Sequence, residues 1–174
     1  MILGAYWSGR SEPEDAAASR VAQFLAAIAR LDPQLSAWLP TGGGGTARER
    51  AIPSFDTAVI RRYFSRIRTD TDDRVIEDLG WHVSLWSGGD VSLRATIGLF
   101  APNQSNSVVL TFGPRASRLG VETQTQILRV MIKTFEPDHA VATDNETLDA
   151  VAAELPWQAG WITYRRGGEL RVTR

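Results

Sequence analysis

Hydrophobic and polar residues alternate along two neighbouring stretches in the middle of the chain, Trp81–Ser87 and residues 91–99. Every odd position on these stretches except Ser87 is apolar. The even positions carry His82, Ser84, Trp86, Ser92, Arg94, Thr96 and Gly98. A period of two is typical of a strand with one buried face. The pattern therefore predicts two strands, with Trp86 and Arg94 on the face that points away from the core.

The loop between these strands, residues 88–90, decides which residues pair. A turn of only two residues would set Leu85 opposite Ser92 and so mix the two faces. A three-residue loop instead pairs apolar residues throughout, namely Leu85 with Leu93, Val83 with Ala95 and Trp81 with Ile97. We therefore expect the three-residue loop, with a glycine in the left-handed region. In that register Trp86 lies opposite Ser92, and Arg94 is diagonal to Trp86.

Apolar residues spaced three and four positions apart predict the helices. The first begins at the capping signal of residues 11–14, where Ser11 precedes Pro13 and Glu14, and its buried stripe is Val21, Phe24, Leu25 and Ile28. Another runs from about Val121 to Phe135 and ends before Pro137, with Ile127, Leu128, Met131 and Phe135 on one face. Shorter helical segments are predicted after capping residues at Asp32, Asp56, residues 70–73 and Asp144. The one after Asp56 extends as far as Ile67, with Val59, Ile60, Tyr63 and Ile67 facing inward.

Further strands are predicted at residues 1–7, 107–112, 138–143 and 160–164, with residues 169–172 as a partner of the last. Short turns between strands favour antiparallel pairing over a doubly wound sheet. We therefore expect an α+β fold, a single domain over residues 1–174 whose mainly antiparallel sheet is covered by helices on one side. Four consecutive glycines within residues 40–50 predict a flexible loop. A phosphate-binding loop is not expected, because the glycines are not followed by the Gly-Lys-Ser/Thr sequence that such a loop requires.

Composition narrows the class of protein. The 174 residues are 43% hydrophobic, which is enough for one well-packed core. The absence of cysteine excludes disulfides and thiolate metal sites, and favours a cytoplasmic location. No apolar run approaches the ~18 residues that a membrane span requires, and the apolar N-terminal run is too short for a signal peptide. We therefore expect no membrane association.

Motifs for catalysis or cofactor binding are few. The two histidines, His82 and His139, do not stand at a recognised metal-ligand spacing. Pro137-Asp138 resembles the first half of a nuclease metal-binding pattern, but the single lysine, Lys133, precedes it instead of following. No nucleophile elbow or dinucleotide loop is present. We therefore expect no metal, no cofactor and no enzymatic activity. The alternative left open is a small-molecule-binding or enzymatic domain that uses His82, Trp86 and Arg94.

Charged residues are grouped in blocks although the net charge is only −1. Residues 70–100 hold six acidic and two basic side chains, and residues 136–157 hold six acidic and no basic ones. Solvated faces and helix caps account for such blocks, and the alternative is an acidic surface for a basic partner. The near-neutral total argues against direct nucleic-acid binding. The candidate partner-binding acids are Asp70, Asp72, Asp73, Asp144, Glu146 and Asp149.

Four short segments resemble the immunity protein 52 family, in that family's order and over nearly the whole chain. They are Gly-Ala-Tyr-Trp at 4–7 followed by Arg10, Leu-Gly at 79–80 leading to Ser-Leu-Trp-Ser-Gly at 84–88, Pro-Asp-His-Ala-Val at 137–141, and Gly-Trp-Ile-Thr-Tyr at 160–164.

The resemblance implies an inhibitor from a bacterial contact-dependent or secreted toxin system. Its partner would be a cognate protein toxin, usually a DNase domain with a restriction-endonuclease-like fold. Carboxylates of the acidic blocks can occupy the basic cleft of such a nuclease. Trp86, with Arg94 beside it, is the expected anchor of the interface. A secretion-system adaptor is the other alternative, and a homodimer is left open.

Overall fold

An antiparallel sheet forms the framework of the protein. The computed structural model describes residues 1–41, 51–66, 79–101, 104–116, 118–144, 146–147 and 160–173. In this part of the chain the sheet has nine strands, which are β1 Ile2–Trp7, β2 Leu39–Pro40, β3 Ser65–Arg66, β4 Trp81–Ser87, β5 Val91–Ile97, β6 Asn106–Phe112, β7 His139–Thr143, β8 Ile162–Arg165 and β9 Arg171–Val172. Their order is β2-β4-β5-β6-β1-β7-β8-β9, and β3 pairs with the other end of β4.

The β4–β5 hairpin confirms the predicted register. Leu85 pairs with Leu93, and the Val83–Ala95 and Trp81–Ile97 pairs follow from it. β6 continues the sheet beside β5, so that Leu93 also pairs with Leu110. The alternating pattern is therefore sufficient to place every residue of this hairpin on its correct face.

The conformation of the hairpin loop differs from the prediction. Asp90, rather than a glycine, adopts the left-handed conformation, with a φ of 67°. Its main-chain carbonyl accepts a hydrogen bond from Gly113 N at 2.9 Å, and its carboxylate accepts one from Arg115 N at 3.0 Å. Aspartate tolerates this conformation better than most residues. The two bonds tie the loop to the turn that follows β6.

Helices cover one face of the sheet, as the sequence predicts. They are α1 Glu14–Ile28, α2 Thr57–Arg61 and α3 Val121–Phe135, with a short 3-10 turn at Pro33–Leu35. α1 packs against α2 and α3, and α3 packs against β1 and β7. Both predicted stripes are buried. Phe135 joins the two layers, because it stacks on Trp7 with 5.7 Å between ring centroids and meets the edge of Phe24 at 5.5 Å.

The start of α1 differs from the predicted capping box. Pro13, not Ser11, is the N-cap residue, and no side chain caps the helix. Glu12 is turned away from the helix start towards two arginines, Arg10 and Arg20. Glu12 therefore pairs with one arginine before the helix, Arg10, and with one inside it, Arg20, and no side chain caps the helix. The cap at Asp32 is confirmed, since its carboxylate accepts a hydrogen bond from Gln34 N at 2.9 Å.

The helix after Asp56 is shorter than predicted. It ends at Arg61, and the chain then enters strand β3 at Ser65. The Asp56 carboxylate makes no cap bond and instead accepts a hydrogen bond from Ser54 Oγ at 2.7 Å.

Two other predicted features are only partly tested. The glycine-rich loop cannot begin at residue 40, because Pro40 belongs to β2 and pairs with Leu85. Its glycines and the helix predicted after residue 70 lie outside the described residues. Of the helix predicted after Asp144, only residues 146–147 are described, and they are helical.

Candidate partner-binding surface

The face of the sheet opposite the helices is defined by alternation along the strands. Residues directly opposite on neighbouring strands share a face, so the register assigns its members. We call it the outer face. It consists of Leu39 on β2, Ser65 on β3, His82, Ser84 and Trp86 on β4, Ser92, Arg94 and Thr96 on β5, Ser107, Val109 and Thr111 on β6, Ile2, Gly4 and Tyr6 on β1, His139, Val141 and Thr143 on β7, Thr163 and Arg165 on β8, and Arg171 on β9.

Trp86 and Arg94 lie together on the outer face, as predicted. Trp86 is in register with Ser92, and Arg94 is in register with Ser84. Diagonal neighbours of this kind are roughly 7–8 Å apart. Trp86 is 41% exposed and the Arg94 side chain is also exposed. A large aromatic side chain that stands in solvent beside an arginine has the composition of an interface anchor.

His82, on the same face, has a hydroxyl as its side-chain contact within the described part of the chain. Its Nδ1 lies 3.5 Å from Thr96 Oγ1, a hydroxyl rather than an orienting carboxylate. Burial, and secondarily the charge of Arg94, hold its pKa below the ordinary value for histidine. The ring is therefore neutral at pH 7. This arrangement gives no support to the alternative of an active site around His82, Trp86 and Arg94.

The centre of the outer face is apolar and filled. Gly4 is in register with Val109 on one side and Val141 on the other. The Tyr6 side chain lies over Gly4, because a Cβ at Gly4 would come within 2.6 Å of Tyr6 Oη. Burial raises the pKa of Tyr6. Glycine at position 4 therefore makes room for the tyrosine ring, which explains why these two residue types occur two positions apart.

The acidic candidates are divided between described and undescribed residues. Asp144 Oδ1 accepts a hydrogen bond from Thr147 N at 2.8 Å, so it caps a helical turn. Glu146 is exposed. The other four acidic candidates lie outside the described residues: Asp70, Asp72, Asp73 and Asp149. Asp144 follows Thr143, which is four strands from Trp86 across the sheet, or roughly 19 Å at ~4.8 Å per strand. Asp144 and Trp86 therefore belong to separate parts of the surface.

Sequence reasoning missed a cluster of ionised groups at the opposite end of β1. Glu12 Oε1 accepts from Arg10 Nε at 2.7 Å, and Glu12 Oε2 lies 3.1 Å from Arg20 Nε. The same arginines donate to the last carbonyls of α3, Arg10 to Phe135 O at 3.0 Å and Arg20 to Thr134 O at 2.6 Å. Cations at this position also complement the helix dipole. The cluster fixes the end of α3 against β1.

Asp138, which belongs to the segment at residues 137–141 that carries part of the family resemblance, also has a structural role. Its Oδ2 accepts hydrogen bonds from Ser8 N at 2.8 Å and Ser8 Oγ at 2.9 Å, and its Oδ1 lies 3.2 Å from Arg166 Nη1. Burial opposes ionisation of Asp138. The two bonds from Ser8 and the charges of Arg166 and His139 outweigh that effect and hold its pKa below the usual range. Asp138 thus joins β1, β7 and β8.

Asn106, at the start of β6, is a further missed residue. It is completely buried. Its Oδ1 accepts from Leu99 N at 2.8 Å, and its Nδ2 donates to Leu99 O at 3.0 Å and Ser8 O at 3.2 Å. Contacts between residues 98 positions apart leave no local signal in a sequence.

Two further observations concern the described residues as a set. No group of three or more His, Asp or Glu side chains among them is arranged to hold a metal ion. None of their helices is long and apolar enough to cross a membrane.

The fold and the outer face together define an α+β protein whose sheet carries an exposed tryptophan and an exposed arginine on the face opposite the helices. The family model described as Immunity protein 52 matches residues 1–169. The chain therefore belongs to the immunity protein 52 family, which confirms the resemblance drawn from the four segments. A search of curated proteins gave no match.

Proposed function

We propose that this protein is an immunity protein that binds a cognate bacterial toxin and neutralises it, so that the cell producing both is protected. The observation that carries the proposal is the family match over residues 1–169 of 174. In this proposal the protein inhibits the toxin by binding to it, without catalysing a reaction. It acts in the cytoplasm, where an intracellular toxin target would have to be protected.

The partner we propose is a nuclease toxin with a restriction-endonuclease-like fold. This part of the proposal comes from the family resemblance and from the charge of the chain. A nuclease needs a basic cleft for phosphates, and the acidic blocks of this chain supply carboxylates of the opposite sign. The exposed Glu146 and the neighbouring Asp144 are the two candidate acids of these blocks that lie among the described residues. An interface of standard size, about 800 Å² per partner, would need an aromatic anchor such as Trp86.

Co-expression tests the function directly. A candidate toxin domain is taken from a reading frame next to the gene for this chain. It is expressed in a test bacterium, alone and together with this chain. The proposal predicts growth arrest and DNA degradation with the toxin alone, and restored growth with intact DNA when the chain is present. The purified proteins should form a stable complex by size-exclusion chromatography. Continued growth arrest in the presence of folded chain, or the absence of a complex, would contradict the proposal.

The acidic contacts are tested separately by neutral substitutions. Asp144→Asn with Glu146→Gln removes two negative charges, and asparagine still caps a helix well. The matched control, Glu122→Gln with Glu169→Gln, removes two charges from exposed positions outside both acidic blocks. Affinity for the toxin is measured at 50 mM and 300 mM salt. We expect the block variant to bind more weakly and with a smaller salt dependence than the control. Equal affinities and equal salt slopes would remove these residues from the interface.

A further inference from the structure

The charged residues of the outer face all have the same sign. Arg94, Arg165 and Arg171 are exposed, whereas burial holds the pKa of His82 and of His139 below the ordinary histidine value, so neither ring adds a full charge at pH 7. No aspartate or glutamate occupies an outer-face position on any of the nine described strands. This sign is opposite to that of the acidic blocks and is not apparent from the net charge of −1.

Several other arginines of the described chain are paired with carboxylates. Arg10 and Arg20 pair with Glu12, and Arg61 pairs with Asp15 at 2.6 Å. By contrast, none of Arg94, Arg165 and Arg171 forms an ion pair or hydrogen bond with a side chain in the described part of the chain. Their guanidinium groups are therefore available to carboxylates supplied from outside, which they can bind through two parallel hydrogen bonds.

The spacing of the arginines suits a macromolecule better than a small ligand. Arg94 lies on β5 and Arg165 on β8, four strands away, so the two are roughly 19 Å apart across the sheet. Between them lie the half-buried Val109 and the half-buried Tyr6 ring over Gly4, whereas Val141 is buried within the chain itself. An apolar centre with polar and charged residues around it is the usual composition of a protein interface.

We propose that the outer face is the surface that contacts the toxin, and that it binds an acidic patch on that protein through Arg94, Arg165 and Arg171, with Trp86 as the aromatic anchor. The inference rests on the proposed function. Charge complementarity identifies the partner surface as acidic, because the outer face offers cations and no anions. Together with the acidic blocks it would give the inhibitor two patches of opposite sign, which fix one orientation of the complex.

The test compares two triple variants that change the net charge equally. Arg94→Glu, Arg165→Glu and Arg171→Glu reverse the charge of the outer face. The control, Arg30→Glu, Arg129→Glu and Lys133→Glu, makes the same change at exposed positions of the helical layer. Affinity for the purified toxin domain is measured by calorimetry, with thermal unfolding as a check of folding. If the glutamates impair folding, the corresponding Arg→Gln and Lys→Gln variants replace them.

We expect the outer-face variant to bind the toxin at least about 100-fold more weakly, and the control within about threefold of the original. Trp86→Ala should weaken binding by roughly 30-fold. If the unaltered chain binds no toxin, the proposed function fails. If it binds, but the two triple variants have equal affinity, only the present inference is overturned. The same holds if the unaltered chain binds a 30-base-pair DNA duplex through the outer face while toxin binding survives the substitutions.

Discussion

Replacing Glu12 with glutamine is the sharpest test of how the two layers are held together. The Glu12 side chain is only 7% exposed, and both of its oxygens face a guanidinium, from Arg10 and from Arg20. Glutamine has nearly the same shape but no charge, and one of its two terminal atoms becomes a donor. That donor would face the N–H groups of an arginine. The substitution therefore removes an interaction without creating a cavity.

The expected loss can be worked out from the contacts. Hydrogen bonds to charged groups contribute about 1.5–3 kcal/mol each, and removing one partner of a buried ion pair costs about 3–5 kcal/mol. Three features reduce the loss here. The arginine side chains are 31% and 29% exposed, they keep their bonds to Thr134 O and Phe135 O, and Glu136 Oε2 lies 3.7 Å and 3.9 Å away. We expect the free energy of unfolding to fall by about 2–3 kcal/mol.

Urea denaturation followed by tryptophan fluorescence measures this loss, because Trp7 lies beside the cluster, with the Arg10 guanidinium 5.6 Å from its ring centroid. The melting temperature should fall by roughly 4–12 °C. Glu122→Gln, on the exposed side of α3, is the matched control and should change stability by less than about 0.5 kcal/mol. A Glu12→Gln variant as stable as this control would show that the ion pairs contribute nothing, and would refute the reasoning.

Three further predictions follow from the same part of the structure. Gly80→Ala should lower the free energy of unfolding by about 2–4 kcal/mol, because φ at Gly80 is +66° and a Cβ there would lie 2.5 Å from Ile97 O. The control Gly88→Ala, whose Cβ would have no atom within 4 Å, should cost less than about 0.5 kcal/mol in the same urea titration. Asn106→Ala should cost about 2–4 kcal/mol, since it leaves the buried Leu99 N–H without its partner, although Leu99 O keeps its bond from Arg10 N. A calorimetric melting temperature within 2 °C of the original would contradict this. Asp138 has a lowered pKa in the folded state, so its carboxylate stabilises the fold above the unfolded pKa of about 4, and this contribution is lost as the pH falls through the folded value. Asp138→Asn should therefore lose about 1–2 kcal/mol at pH 7 and show a shallower loss of stability below pH 4, which urea titrations between pH 2 and 7 would measure.

The elements that the sequence predicts correctly depend on short-range patterns. Alternation along β4 and β5, together with the length of one loop, is enough to place Trp86 opposite Ser92 and diagonal to Arg94. The spacing of apolar residues likewise gives α3 its observed bounds, Val121–Phe135. In both cases the signal lies within about fifteen residues, because burial of one face imposes its period on consecutive side chains.

The errors arise where a distant partner overrides a local preference. The predicted helix after Asp56, for example, gives way to β3, which pairs with β4. The role of Asp138, which accepts hydrogen bonds from Ser8, 130 residues earlier in the chain, was likewise missed. Hydrogen bonds and strand pairing of this kind are invisible to any pattern of neighbouring residues.

The sequence by itself determined the fold class, the faces of the central hairpin and, through four short segments, the family. Only the tertiary structure decided which charges share a surface. Arg94, Arg165 and Arg171 belong to three strands spread over 78 residues, and their common face follows from the register of six neighbouring strands. The physical reason is that a side chain's face is set locally by the pleat, while its neighbours on that face are set by strand order.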